Sequence, residues 1–191
     1  MRYETKDIIL TPLISEKPLS DWYREWFLDK DVTKYTSHRA YPLTIQKEKE
    51  FISSLNSPTR IVWQIVTKDS KWLGNASLDQ IDMLNRKAEF TILIGDKNYW
   101  GKGVGTTVGK ILLYHAFIVL GLNSVWGGCA EPNIGMREIF AKLNMKQDGE
   151  FPQALWIEGK FVDIYHYTIL KDQYIKNYEG EPFVKQGNKN D

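Results

Sequence analysis

The chain holds one cysteine, Cys129, in 191 residues, so an internal disulfide is excluded and a reducing compartment, the cytoplasm, is the expectation. It has no excess of charge of either sign. Its 25 basic and 24 acidic side chains leave a net charge of +1, and without a basic surplus no nucleic-acid partner is expected. No apolar run approaches the roughly 20 residues of a membrane span. The opening MRYETKDIIL lacks the long apolar region of a signal peptide. No internal repeat is found. These absences predict a protein with no membrane partner.

What is present is an ordinary globular composition, 42% hydrophobic and 26% charged, long enough for one domain with a proper core. The predicted domain spans residues 1–175, with a polar, glycine-containing and mobile tail over 176–191. The segment 7-DIILTPL-13 reads as a first strand. In 18-PLSDWYREWFLD-29, Leu19, Trp22, Tyr23, Trp26 and Phe27 fall on one helical face. A looser segment covers 30–43. Thr44 then caps a helix running to Leu55. Strands follow at 60–67 and 72–82, joined by the turn 68-KDSK-71. A third strand, 88-AEFTILI-94, is nearly continuous in apolar and β-branched residues and is expected at the centre of the sheet. A helix is predicted from about Thr106 to Leu120, stopped by Gly121. After the strand 123-NSVWGGCA-130, Asn133 caps a helix ending near Leu143, where Asn144 takes the left-handed position. Two last strands, 145–151 and 160–170, flank 152-PQALWIEG-159. The result is one mixed α/β domain.

The stretch 98-NYWGKGVGTTVGKILLYHAF-117 puts Gly101, Gly103 and Gly105 between a strand and a helix N-terminus. Free N–H groups and the macrodipole at such a corner favour an anion, and glycines let a phosphate approach the backbone. Lys102 adds a cation and Thr106 a hydroxyl. A tight turn is the competing reading. A P-loop is disfavoured, because no lysine follows the last glycine. A dinucleotide fingerprint is disfavoured, because the loop follows an antiparallel meander.

The spacing in 99-YWGKGVGTT-107 resembles the acetyl-CoA pyrophosphate loop of the GNAT superfamily of N-acetyltransferases, and Trp100 resembles its ribosomal-protein-alanine acetyltransferase branch. The segment 88–103 is similar to that branch's central strand and turn. The segment 133-NIGMREIFAKLNMKQDGEF-151 is similar to its Asn-opened helix, and 159-GKFVDIYHYTIL-170 to its closing strand. The likeness extends to about Leu170. It departs from the pattern at Asn144 and Met145, at Met136, and at Phe140, where many members carry a tyrosine general acid. The resemblance implies a mixed, mainly antiparallel twisted sheet flanked by helices and splayed at its central strand for CoA. It implies direct acetyl transfer from acetyl-CoA to a primary amine, without a metal. It also implies that Ile92, Leu93 and Ile94 pair with the pantetheine arm, and that Trp100, Gly101, Lys102, Gly103, Val104, Gly105 and Thr106 hold the pyrophosphate.

Some group must take a proton from an amine of pKa ~10. Glu89 is the candidate base, as the only carboxylate in the central strand. An ion pair with Arg86 or Lys87 is its structural alternative. Asp79 and Asp82 are candidate ammonium binders, Asp82 fitting a solvated turn better. Asn133 is expected to cap its helix and meet the cofactor. Lys142 either reaches a CoA phosphate or stays solvated. His38, Arg39 and Tyr41 are placed in the acceptor pocket by the resemblance, with Trp22, Trp26 and Tyr35 nearby, the two tryptophans favoured as core. His166 is an outside candidate for the acid. Cys129 and His115 are expected to be packing residues. The predicted acceptor is a small-molecule amine such as an amino sugar, sugar nucleotide or polyamine. A protein N-terminus, and a silent acyl-CoA-binding module, are the alternatives. The chain is expected to be a monomer or homodimer.

Overall fold

In the computed structural model, residues 1–13, 21–41 and 44–178 are described, together with a short strand at 185–186. Strands β1 (Tyr3–Glu4) and β2 (Ile8–Pro12) lead to helices α1 (Asp21–Leu28) and α2 (Lys30–Thr33), a 3₁₀ turn at Ser37–Arg39, and α3 (Ile45–Ser54). Next come β3 (Asn56–Ser57), β4 (Arg60–Thr67), β5 (Trp72–Asp82) and β6 (Lys87–Ile94). Helix α4 (Val104–Tyr114) continues into a π-helical turn at His115–Val119. Then follow β7 (Ser124–Ala130), α5 (Ile134–Lys142), β8 (Lys146–Ile157), β9 (Lys160–Leu170), α6 (Lys171–Tyr178) and β10 (Lys185–Gln186).

Among the described residues the strands form one sheet in the order β10-β1-β2-β4-β5-β6-β7-β9-β8, with β3 paired to β4. Every pairing is antiparallel except that of β6 with β7. This is the expected single mixed α/β domain with the 88–94 segment at its centre. The helices cover both faces. On one, α4 and α5 bury Val108, Ile111, Leu112, Phe140 and Leu143 against Trp63, Leu78, Ala88 and Phe90. On the other, α1, α2 and α3 close a smaller cluster of Leu13, Trp26, Val32, Leu55 and Val62. Trp26 is therefore core, as its helical spacing suggested, while Trp22's side chain lies outside the described residues.

Local chemistry accounts for several helix ends. The Thr44 hydroxyl accepts from the Lys47 amide and starts α3. The Asp29 carboxylate accepts from the amides of Asp31 and Val32 and starts α2. Asn144, at φ 56°, takes the left-handed position after α5.

Several boundaries differ from expectation. Helix α4 begins at Val104, two residues before Thr106, because Gly103 (φ 80°) turns the chain directly into it. The strand expected to stop at Phe151 runs on to Ile157, with a register shift between Phe151 and Leu155 that absorbs Pro152. The loose 30–43 segment contains α2 and the 3₁₀ turn, both set by side-chain caps. Helix α6 carries the chain past the predicted boundary at residue 175 to Tyr178, and β10 pairs with β1. The rest of the expected tail, and residues 18–20, 42 and 43, lie outside the described residues. No helix among the described residues is long and apolar enough to cross a membrane.

Candidate active site

Strands β6 and β7 pair in parallel over only Lys87–Glu89 and Ser124–Trp126. Beyond Glu89 and Trp126 they diverge. The fork opens into a cleft of about 740 Å³. One wall is Phe90 to Ile94, the other Gly128 to Ala130, and the rim is the 100–106 loop, α2 and the start of α5. A divergent parallel pair leaves backbone donors and acceptors without a ladder partner, ready for an extended ligand with its own amides.

The glycines of the loop serve two purposes. Gly101 and Gly103 have φ of 70° and 80°, and a Cβ on either would meet nothing within 4 Å. Their backbone needs glycine, and the space beside them is free for a ligand. Gly105 has an ordinary φ, but a Cβ there would lie 2.5 Å from Ile139 Cδ1. It also lines the cleft, and a Cβ there would need the terminal methyl of Ile139 on α5 to shift. No side chain caps α4, so its first amides face the cleft unpaired by a cap. The Trp100 indole N–H donates to the Ile94 carbonyl at 2.8 Å and ties the loop to the end of β6. Val104, Thr106, Asn133 and Lys142 also line the cleft, and the Asn133 side chain accepts from the Met136 amide. Lys102 does not line it. Its ammonium sits 5.6 Å from the centroid of the Tyr99 ring.

A second cavity, of about 340 Å³, lies on the sheet face beneath α1 and α3. It shares Thr36, Thr91, Ile92 and Leu93 with the cleft, so one segment of β6 walls both. His38, Lys47, Phe51, Arg60, Asn75 and Ser77 complete much of its lining. Burial, aided by the charge of Lys47, lowers the His38 pKa and favours the neutral ring.

Glu89 lies on the same face of β6 as Thr91 and Leu93, by strand alternation, one step closer to the apex of the fork. It lines neither cavity. The Gln80 side-chain amide donates to it at 2.7 Å, and no ion pair links it to Arg86 or Lys87. Burial raises its pKa above the ordinary carboxylate range, opposed by the Gln80 hydrogen bond and reinforced by Asp79. Beyond Glu89, His166 stacks on Trp126 and pairs with Asp148 at 2.6 Å. Phe140 is fully buried between Phe90 and Tyr167, where a phenol would sit in the core beneath the fork. Cys129 lines the cleft, but burial pushes its thiol up to about 11, which disarms it as a nucleophile.

Three expected acceptor contacts fall elsewhere. Arg39 donates to the carbonyls of Thr36 and Trp156 and holds the β8–β9 hairpin against the 3₁₀ turn. Tyr41 is 62% exposed, with the Lys47 ammonium over its ring. The Asp79 carboxylate accepts from the hydroxyls of Ser77 and Thr91 and faces Arg60 Nε at 2.6 Å, an ion pair off the hydrogen-bond line. Asp82 holds its own turn by accepting from Asn85. Lys47, Arg60, Asn75, Ser77 and Thr91 were not anticipated. Strand alternation places Thr91 and Ser77 on a common face, but nothing local distinguishes that face from bulk solvent.

This geometry has known counterparts. The acetyltransferase (GNAT) domain family matches residues 7–146. The chain is 24% identical to the uncharacterized N-acetyltransferase p20 of Bacillus licheniformis, over 78% of this chain and 86% of that protein. It is 28% identical to the spermidine N(1)-acetyltransferase of Escherichia coli K12, over 63% of this chain and 66% of that one. It is 32% identical to the putative ribosomal N-acetyltransferase YdaF of Bacillus subtilis, over 59% of each. The fold is similar to that of the Vibrio cholerae spermidine N-acetyltransferase solved with CoA and spermine, with a TM-score of 0.78 at 19% identity, covering 88% of this chain and 98% of that one.

Proposed function

The chain belongs to the GNAT acetyltransferases, and from that premise we propose that it moves the acetyl group of acetyl-CoA directly onto the primary amine of a small molecule. The observation that carries the reading is the meeting of two cavities on one strand segment, Thr91 to Leu93. The pantetheine arm fits the fork, where unladdered backbone matches its amides. The pyrophosphate fits Gly101, Gly103 and the first amides of α4. The acceptor fits the smaller cavity, whose volume suits a compact ligand better than a length of peptide.

In this arrangement the neutral amine attacks the thioester carbonyl carbon. A C–N bond forms, the C–S bond breaks, and the sulfur leaves with the electron pair. The amine proton passes to Glu89, through one water because Glu89 stands back from both cavities. Its half-buried position raises its pKa and makes it a better proton acceptor than a solvated carboxylate. The thiolate, whose conjugate acid has a pKa of ~8.5, leaves without an obligatory acid. This accommodates Phe140. Cys129, held as a thiol, takes no part, so no acetyl-enzyme forms.

The test is a screen of acetyl-CoA consumption over amino sugars, sugar nucleotides, amino acids, polyamines and N-terminal peptides. Turnover of small amines over peptides is the expected result. Preference for a ribosomal-protein N-terminal peptide would move the assignment to a protein acceptor. Acetyl-CoA binding without turnover of any amine would make the chain a silent acyl-CoA-binding module.

A further inference from the structure

We propose that the acceptor is a primary amine that also carries an anionic group, a carboxylate or a phosphate, received by Lys47 and Arg60. The inference rests on the transferase reading above and narrows its acceptor.

The charged side chains lining the acceptor cavity are Lys47 and Arg60, beside His38. No carboxylate lines it among the described residues. The two carboxylates beside it already have partners. Asp79 is occupied by Arg60, Ser77 and Thr91. Glu48, the neighbour of Lys47, is buried and takes both oxygens to Arg24. Lys47 has no carboxylate partner among the described residues, and its ammonium lies 5.1 Å from the centroid of the Tyr41 ring. Arg60 is held rigidly. Its Nη1 donates to Ser54 Oγ at 2.9 Å and its guanidinium lies over Phe51, while Nη2 has no partner among the described residues. A fixed guanidinium with a free N–H, lining the same cavity as an ammonium with no carboxylate partner, is a receptor for an oxyanion.

The same charges oppose a polyamine. Each ammonium beyond the reacting one would enter a half-enclosed cavity where Asp79 is already taken by Arg60 and the Lys47 charge has no carboxylate partner among the described residues, so that like-charge repulsion is stronger there than in bulk water. The distance between the two ligand groups is also bounded. Arg60, Asp79 and Glu89 stand on adjacent strands, β4, β5 and β6. Two strand spacings are about 10 Å, so amine and anion are joined by a short scaffold. Asn75, which also lines the cavity, offers its amide to hydroxyls or carbonyls along that scaffold, and the oxygens of Ser77 and Thr91, whose protons go to Asp79, can accept from hydroxyls.

The experiment compares kcat/KM at saturating acetyl-CoA for matched amines. Glucosamine 6-phosphate is set against glucosamine, glutamate against glutamine amide, and spermidine against both pairs. The expected result is at least a 10-fold preference for the anionic member of one pair, carried mainly by KM, with spermidine below it. Which pair shows the preference names phosphate or carboxylate as the anion. In Lys47→Ala the anionic-to-neutral ratio should fall toward 1, Lys47→Arg should keep it, and Lys47→Glu should shift the order toward spermidine. Spermidine or a neutral amine outrunning the anionic member, or a ratio unmoved in Lys47→Ala, overturns the proposal. If no amine is turned over, the transferase reading fails separately. Calorimetric titration of glucosamine 6-phosphate and glutamate into CoA-loaded protein then decides: Lys47-dependent binding sustains the anion site, and no binding overturns it.

Discussion

Glu89 stands opposite Trp126 in the last parallel pair of β6 and β7, and beyond that pair the two strands separate into the cleft. The carboxylate is thereby fixed at the apex of the fork, on the face that carries Thr91 and Leu93. Its pKa is raised, so the folded protein holds its proton to a higher pH than the unfolded chain. The stability it contributes is full below the ordinary carboxylate pKa and is lost as pH rises through its raised value, so that at pH 7 its half-buried charge opposes folding.

Glu89→Gln is accordingly expected to be as stable as the parent, or more stable, at pH 7. Its kcat should drop roughly 10²–10⁴-fold, the usual worth of a general base. Acetyl-CoA affinity should hold, because the loop lies beyond the far end of the strand. The parent's pH–rate profile should show an acid limb above the ordinary carboxylate range, and this limb should disappear in the variant. Kinetics against pH with a parallel urea melt measure all three. A variant of near-normal rate with an unchanged limb removes Glu89 from the mechanism.

The two kinds of glycine in the loop separate by substitution. Gly103→Val places a β-branched residue at φ 80°, facing open space. We expect a strain cost of about 1–2 kcal/mol and a loss of CoA affinity of at least ~10-fold, because the side chain fills phosphate space. Gly105→Ala pushes a methyl group against Ile139. The Ile139 terminal methyl must swing aside, so the change should act on packing rather than on CoA affinity, and Ile139→Val should be tolerated better in the Gly105→Ala background than in the parent. Calorimetric titration with CoA alongside thermal melts tells the two apart. Equal effects of both changes on CoA affinity would mean that Gly105 is also a ligand position.

Acetyl-CoA should stabilise the fold by mass action, about 2.7 kcal/mol at a hundredfold excess over Kd. For a domain of this size that is roughly a 5–10 °C rise in Tm. NADH and ATP should give much less, since neither carries a pantetheine arm to pair with the open backbone of the fork. A thermal-shift titration with the three ligands is the check, and an equal shift with NADH would contradict the assignment of the cleft.

His115 offers a pH prediction far from the site. It is buried, with Nδ1 hydrogen-bonded to the Tyr3 hydroxyl at 2.5 Å and Nε2 without a partner. Burial, assisted by the N-terminal charge, pushes its pKa down to about 4. The unfolded chain protonates near ~6.5, so it binds the proton first as pH falls. The stability contribution is full above ~6.5 and is lost progressively toward pH 4, by up to about 3 kcal/mol. Urea midpoints from pH 7.5 to 4.5 should slope less steeply in His115→Gln than in the parent. Parallel slopes would assign the acid sensitivity to other groups.

The sequence by itself determined the elements whose signals are local. Alternation and β-branching marked β4, β5 and β6. Side-chain caps at Thr44 and Asn133, and the left-handed Asn144, marked helix ends. The glycine spacing after a strand marked the anion corner. These signals act over a few residues, so they survive without a fold around them. The segments that eluded the sequence depend on distant partners. Strand β8 continues past Pro152 because β9 pairs with it. The 30–43 segment turns helical through caps at Asp29 and Thr36 that no apolar period announces. The cleft was foreseeable from its loop, whereas of the smaller cavity's polar lining only His38 was foreseen. Arg60, Asn75, Ser77 and Thr91 come from three strands and meet a lysine of α3 only once the sheet register is set. That register also turned Asp79 from a free carboxylate into a partner for Arg60, while Arg39 is drawn to the Trp156 carbonyl and Tyr41 lies under the Lys47 ammonium. Charge pairing and shared faces are properties of neighbours in space, which the linear chain does not order.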